Sequence, residues 1–137
     1  MHIPDGYLGP ATCGFFYVVM LPIWTLASRI VKKTLAVKQV PMLAIGAAFS
    51  FVIMIFDVPL TGGSSAHAVG GVLIAILLGP WAACIAITVA LAIQALLFGD
   101  GGITAIGANA FNMAFILPFA GYYIYRIISY KASLSSQ

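Results

Sequence analysis

The chain has 137 residues, of which 63% are hydrophobic and 7% charged, whereas an ordinary soluble domain carries about 25% charged residues. Six Lys or Arg and three Asp or Glu give a net charge of +3. That is too few cations to follow a phosphate backbone, and too little polar surface for a disordered segment or a solvated globule. These numbers describe an integral membrane protein with no nucleic-acid partner, organised as a single domain over 1–137.

The charged positions divide the chain: Asp5, Arg29, Lys32, Lys33, Lys38, Asp57, Asp100, Arg126 and Lys131. A helix needs roughly 20 apolar residues to cross a bilayer. The uncharged gaps 6–28, 39–56 and 101–125 therefore each predict one span. The long gap after Asp57 opens with Thr61-Gly62-Gly63-Ser64-Ser65, which is loop chemistry. Further on it is interrupted by Gly79-Pro80, and proline removes a helix donor while disfavouring helix at the residue before it. Two short helices follow, about 69–78 and 81–98, packed inside a bundle. No run alternates with a period of two, so a barrel is excluded. The expected fold is all-α: a polytopic bundle of about five transmembrane helices with a broken pair at 69–98.

Arg29, Lys32, Lys33 and Lys38 follow the first predicted span, and Arg126 and Lys131 follow the last. Loops rich in Lys and Arg stay in the cytoplasm. This places the N-terminus outside and the C-terminus inside, with 131–137 a cytoplasmic tail. The loops at 58–67 and 98–102 then lie outside with the tail 1–10. The start has neither a basic region nor a cleavage site of the secretory kind, so the first residues are expected to remain.

Met1-His2-Ile3-Pro4-Asp5-Gly6 begins that external tail. A histidine on a short tail is ordinarily just a polar residue. At position 2, however, a free α-amine, the residue-2 amide nitrogen and the imidazole can close two chelate rings on one ion. Three nitrogens in a plane suit Ni(II) or Cu(II) better than the tetrahedral preference of Zn(II). The fourth position stays open. The other histidine, His67, falls in a small-residue loop on the same predicted side, where it is either a polar anchor or that fourth ligand.

The opening Met1–Leu8 resembles that of the CbiM/NikM family, the substrate-specific (S) components of nickel and cobalt energy-coupling-factor transporters. The run Gly62–Gly71, with its Gly-Gly-x-Ser-x-His-x-x-Gly-Gly pattern, is similar to a motif of the same family. So are Ile76–Ala82, Gln94–Gly102 and Gly107–Met113. The resemblance implies that Met1 (amine), His2 (amide nitrogen and imidazole) and His67 hold Ni(II) or Co(II) as the transported ligand, with no organic cofactor. It also implies partners in the membrane: a transmembrane scaffold subunit and two cytoplasmic ATPases, with a small accessory membrane subunit as an optional addition. Family members run to about seven helices, and this chain supplies roughly five.

The other polar groups read less sharply. Asp100 is turn chemistry or a cation attractor. Asn109 and Asn112 are three apart and are expected to share a helix face. Like Gln94, they either bond between helices or receive an imidazole N–H. Asp5 is expected to brace the tail through backbone N–H groups. Cys13 and Cys84 sit in apolar runs and read as packing. Ala44–Ala48 and Ala86-x-x-x-Ala90 are expected close-approach faces. The chain has no phosphate loop, no H-E-x-x-H and no G-x-S-x-G, so no enzyme is predicted and ATP must be handled elsewhere. The expected function is high-affinity capture of Ni(II) or Co(II) at the outer face of the plasma membrane, for an ATP-driven uptake transporter. The alternative is a metal-independent structural subunit of a membrane complex. The ligands do not separate nickel from cobalt.

Overall fold

The computed structural model describes residues 2–62 and 64–135. Met1, the first expected ligand, therefore lies outside the described residues, as do Gly63, Ser136 and Gln137.

After an irregular tail, α1 runs Pro10–Thr34. Proline suits its first turn, where a helix has no use for the missing donor. The helix does not stop before its cations but carries Lys32 and Lys33 in its last turn, where they face the negative end of the helix dipole. A 3₁₀ turn, Val37–Gln39, leads into α2, Val40–Met54. The segment expected as bare loop at 58–67 instead forms a short antiparallel hairpin. In it β1 (Val58–Leu60) pairs with β2 (Ser64–Ala66), Val58 opposite Ala66. Backbone groups at the end of a bundle need partners, and here the two strands satisfy each other.

The broken pair is present. Helix α3 spans Gly71–Leu78 and ends at Gly79, whose φ of 93° only glycine adopts readily. Pro80 then opens α4, Pro80–Ile93, which continues as a π-wound turn, Gln94–Phe98. The last rod is α5 (Ile106–Ala110), a second π-wound stretch (Phe111–Ile116) and α6 (Leu117–Ser135). Its start lies later than the predicted 101, and Arg126 falls inside it rather than after it. Residues 131–135, expected as a tail, are helical. A helix that has left the apolar layer has no reason to end at its first cation, so charge alone misplaces its end.

Among the described residues, four segments are long and apolar enough to cross a membrane: Pro10–Thr34, Val37–Met54, Pro80–Phe98 and Ile106–Tyr130. Helix α3, of eight residues, spans only about 12 Å and is packed inside. Helix α4 is the central element. It buries Ala82, Ala83, Cys84, Ala86, Ile87, Ala90 and Leu91, and its alanines let α1, α2 and α3 approach closely. Trp24 Nε1 donates to Thr88 Oγ1 (3.0 Å), which ties α1 to α4. Ala86 and Ala90 are buried as expected of a close-approach face, whereas Ala44 and Ala48 on α2 are exposed. Cys13 and Cys84 are free and buried.

Candidate metal centre

The tail, the hairpin and the loop after α4 meet at one end of the bundle. His2 is only 4% exposed, and its ring centre lies 5.0 Å from that of His67, the planes tilted by 53°. Neither ring nitrogen of His2 has a hydrogen-bond partner among the described residues. Nδ1 does lie 2.9 Å from Asp100 Oδ1, so the ring and the carboxylate are in electrostatic contact. Burial lowers the His2 pKa below its ordinary 6.5, and the nearby Asp100 carboxylate only partly offsets this. The ring is thus neutral at neutral pH, which is the form that binds metals. His67 is half-buried just after β2, and its Nδ1 lies 3.3 Å from the Ala68 carbonyl oxygen.

Three sets of contacts hold the tail in place. Ile3 N–H donates to Asn109 Oδ1 (2.9 Å), and Asn109 Nδ2 donates back to the Ile3 carbonyl (3.1 Å). Gly102 N–H also donates to the Ile3 carbonyl (2.9 Å). The Asp5 carboxylate accepts from Thr104 N–H (2.9 Å), the Thr104 hydroxyl (2.5 Å) and Ile103 N–H (3.1 Å). Those bonds, the Thr104 hydroxyl first, hold the Asp5 pKa below its ordinary 3.8. The loop is shaped to the tail. A Cβ on Gly101 would stand 2.9 Å from His2 Cβ, and one on Gly102 would stand 2.5 Å from Asp5 N and Oδ1.

Of the predicted residues, the structure brings His2, His67 and Asp100 together. Asn109 is nearby and buried, but its amide holds the backbone of Ile3 rather than an imidazole. Asn112 is exposed and turned away. Gln94 is buried, and its Nε2 donates to the Phe51 carbonyl (3.3 Å). Asp5 braces the tail through backbone N–H groups as its type predicted. Thr104, Gly101 and Gly102 were not singled out. Only the glycine pair in Asp100-Gly101-Gly102 could have marked a close backbone approach.

This is a polytopic helical membrane protein with its two histidines gathered at one end, beside a docked tail. The chain belongs to the CbiM family: the family profile, described as the cobalt uptake substrate-specific transmembrane region, matches residues 2–137. It is similar to a Methanocaldococcus jannaschii protein named for metal transport, at 56% identity over 132 residues, covering 96% of this chain and 59% of that protein. The fused nickel transport protein NikMN of Rhodobacter capsulatus is 49% identical over 137 residues, covering 100% of this chain and 40% of the relative. The crystal structure of a truncated transition-metal transporter superposes with a TM-score of 0.92 at 57% identity, over 96% of this chain and 62% of that one. The chain thus spans less than two thirds of the length of these relatives. The family is one of transport components, not of enzymes.

Proposed function

We propose that this protein captures Ni(II) or Co(II) at the outer face of the plasma membrane, as the substrate-binding component of an ATP-driven uptake transporter. The observation that carries the reading is a buried His2 ring, its Nε2 without a hydrogen-bond partner among the described residues, 5.0 Å from the ring of His67. A metal–nitrogen bond of about 2.0–2.1 Å puts each ring centre roughly 3 Å from a shared ion, and two such rings at a right angle are then roughly 4.5 Å apart. The observed spacing needs little adjustment to meet that. Met1 supplies the terminal amine and His2 its amide nitrogen and imidazole, with His67 as the fourth ligand. The names of the relatives support nickel and cobalt as the ions carried.

Capture proceeds by substitution of water on the ion by these nitrogens, with release of the amide proton, of one proton from the terminal ammonium and of the second ring proton of any protonated imidazole, each ring keeping one N–H. Transport needs energy that no motif here supplies. The proposed partners are therefore a membrane scaffold and cytoplasmic ATPases, which carry the occupied subunit between outward and inward states. The deciding experiment is retention of metal by the purified chain. One equivalent of nickel or cobalt is expected per chain, and His67→Ala should abolish it. A wild-type chain that binds neither ion would leave only a structural role in a membrane complex.

A further inference from the structure

A cavity of about 210 Å³ lies beside His2, between the C-terminal end of α2 and the π-wound end of α4. Phe51, Met54 and Phe98 form apolar walls, Asp100 and Gln94 supply its oxygen atoms, and Asp57, whose carboxylate is already engaged, lines one side. Gln94 is 1% exposed. Its Nε2 is bonded to the Phe51 carbonyl, but its Oε1 has no partner among the described residues. A buried oxygen of this kind is costly unless a donor or a cation meets it. Asp100 joins the cavity to the histidine pair, because it lines one and touches the other at 2.9 Å.

The two compartments differ in chemistry. The histidine centre offers nitrogen, which suits Ni(II) and Co(II). The cavity offers carboxylate and amide oxygen, which suit a hard or still hydrated divalent cation. At about 30 Å³ per water, the cavity holds an ion with part of its water shell. We propose that it is an oxygen-lined entry site, which takes a partly hydrated divalent cation and passes it to His2 and His67. The inference rests on the capture function proposed above. Carboxylates lining a cleft raise the local cation concentration and the rate of association. They do not set the rate of release, because nitrogen ligands hold the ion by then.

The test separates entry from retention. Nickel association and dissociation are measured by stopped flow on the detergent-purified full chain, in wild type, Asp100→Asn and Gln94→Met. The association rate should fall about tenfold in Asp100→Asn and should also fall in Gln94→Met, whose dissociation stays within about twofold of wild type, which also reports an intact nickel centre. Separately, Mn²⁺ is titrated by electron paramagnetic resonance into His67→Ala, with and without Gln94→Met. Saturable Mn²⁺ binding is expected in the first and its loss in the second. Unchanged association, faster dissociation alone, or absence of Mn²⁺ binding in His67→Ala would each overturn the entry site. If the wild-type chain holds no nickel, the capture reading fails, and the Mn²⁺ titration still decides this one.

Discussion

The side-chain amide of Asn109 meets both backbone groups of Ile3, so the bundle itself fixes the peptide next to His2. Asn109→Leu leaves the Ile3 N–H without a partner, whereas the Ile3 carbonyl keeps Gly102. An orphaned buried donor costs about 1–3 kcal/mol, so nickel should bind roughly 10- to 100-fold more weakly. Asn109→Gln keeps both the acceptor for Ile3 N–H and the donor for the Ile3 carbonyl and should lose much less. Calorimetric titration of the two variants checks this, and equal losses would remove the clamp. A second expectation concerns pH. Burial lowers the His2 pKa from 6.5, so the docked neutral ring is fully favoured above that value. The advantage is lost as pH falls from 6.5 through the lowered value, and proton competition for the metal runs the same way. Asp5 is lowered from 3.8 by its Thr104 and Ile103 donors, so its contribution persists down to that pH and is lost only below it. Nickel retention should therefore fall as pH drops below 6.5, through His2 and not through Asp5. Occupancy that stays flat to pH 4 would sink the two-histidine centre. At this scale His2 and His67 were legible because the chain has no other histidines and chelation by residue 2 is local chemistry. Asn109 was flagged for the wrong task, because its partner is a backbone 106 residues away, and no spacing rule reports that.

The rods are where local pattern and packing part company. Gly79-Pro80 announces the break between α3 and α4 in the sequence itself. The two π-wound turns do not: Gln94–Phe98 and Phe111–Ile116 are apolar runs with no compositional mark. The second begins between Asn109 and Asn112, and its wider turn removes the shared face that a three-residue spacing would give. Asn109 is consequently buried and Asn112 exposed. The hairpin at Val58–Ala66 was hidden because glycine and serine report a turn but not the short strands around it. Helix α5 carries Asn109 and is set by Gly107, where an added Cβ would stand 2.9 Å from Tyr17 N and 3.0 Å from the Phe16 carbonyl carbon. These are backbone atoms of α1, which cannot rotate away. Gly107→Ala should destabilise the fold by about 1–3 kcal/mol and weaken nickel binding as Asn109 shifts. A thermal melt and a nickel titration should therefore change together. A melt that drops while affinity holds would separate α5 packing from the tail. Gly121 offers the contrasting control: its added Cβ meets the side chain of Val72 at 2.5 Å. Gly121→Ala should thus be rescued by Val72→Ala, whereas no side-chain change rescues Gly107→Ala.

Across the whole molecule, the polar groups divide between the two ends. His2, His67, Asp57 and Asp100 gather where the tail, the hairpin and the loop after α4 meet. Helix α1 starts at that end and runs to Thr34, which carries Arg29, Lys32 and Lys33 to the other. The last rod also starts there, and 20 residues from Ile106 to Arg126 cover about 30 Å. Arg126 thus lies at the far end with the α1 cations, although it lies within the rod and not beyond it. That separation is what the pairing of α3 and α4 achieves: α3 enters the bundle and α4 returns to the same end. A single tilted helix over 69–98 would have sent Arg126 to the end that holds the histidines. The bias of Lys and Arg toward the cytoplasm then predicts which end faces out. With Cys13 and Cys84 replaced, single cysteines placed at 61 and at 103 should react with a membrane-impermeant thiol reagent added to intact cells. A cysteine at 36 should react only after the cells are opened. Labelling of position 36 from outside would invert the protein. It would put the histidine pair on the cytoplasmic side, where an uptake component has no ion to capture.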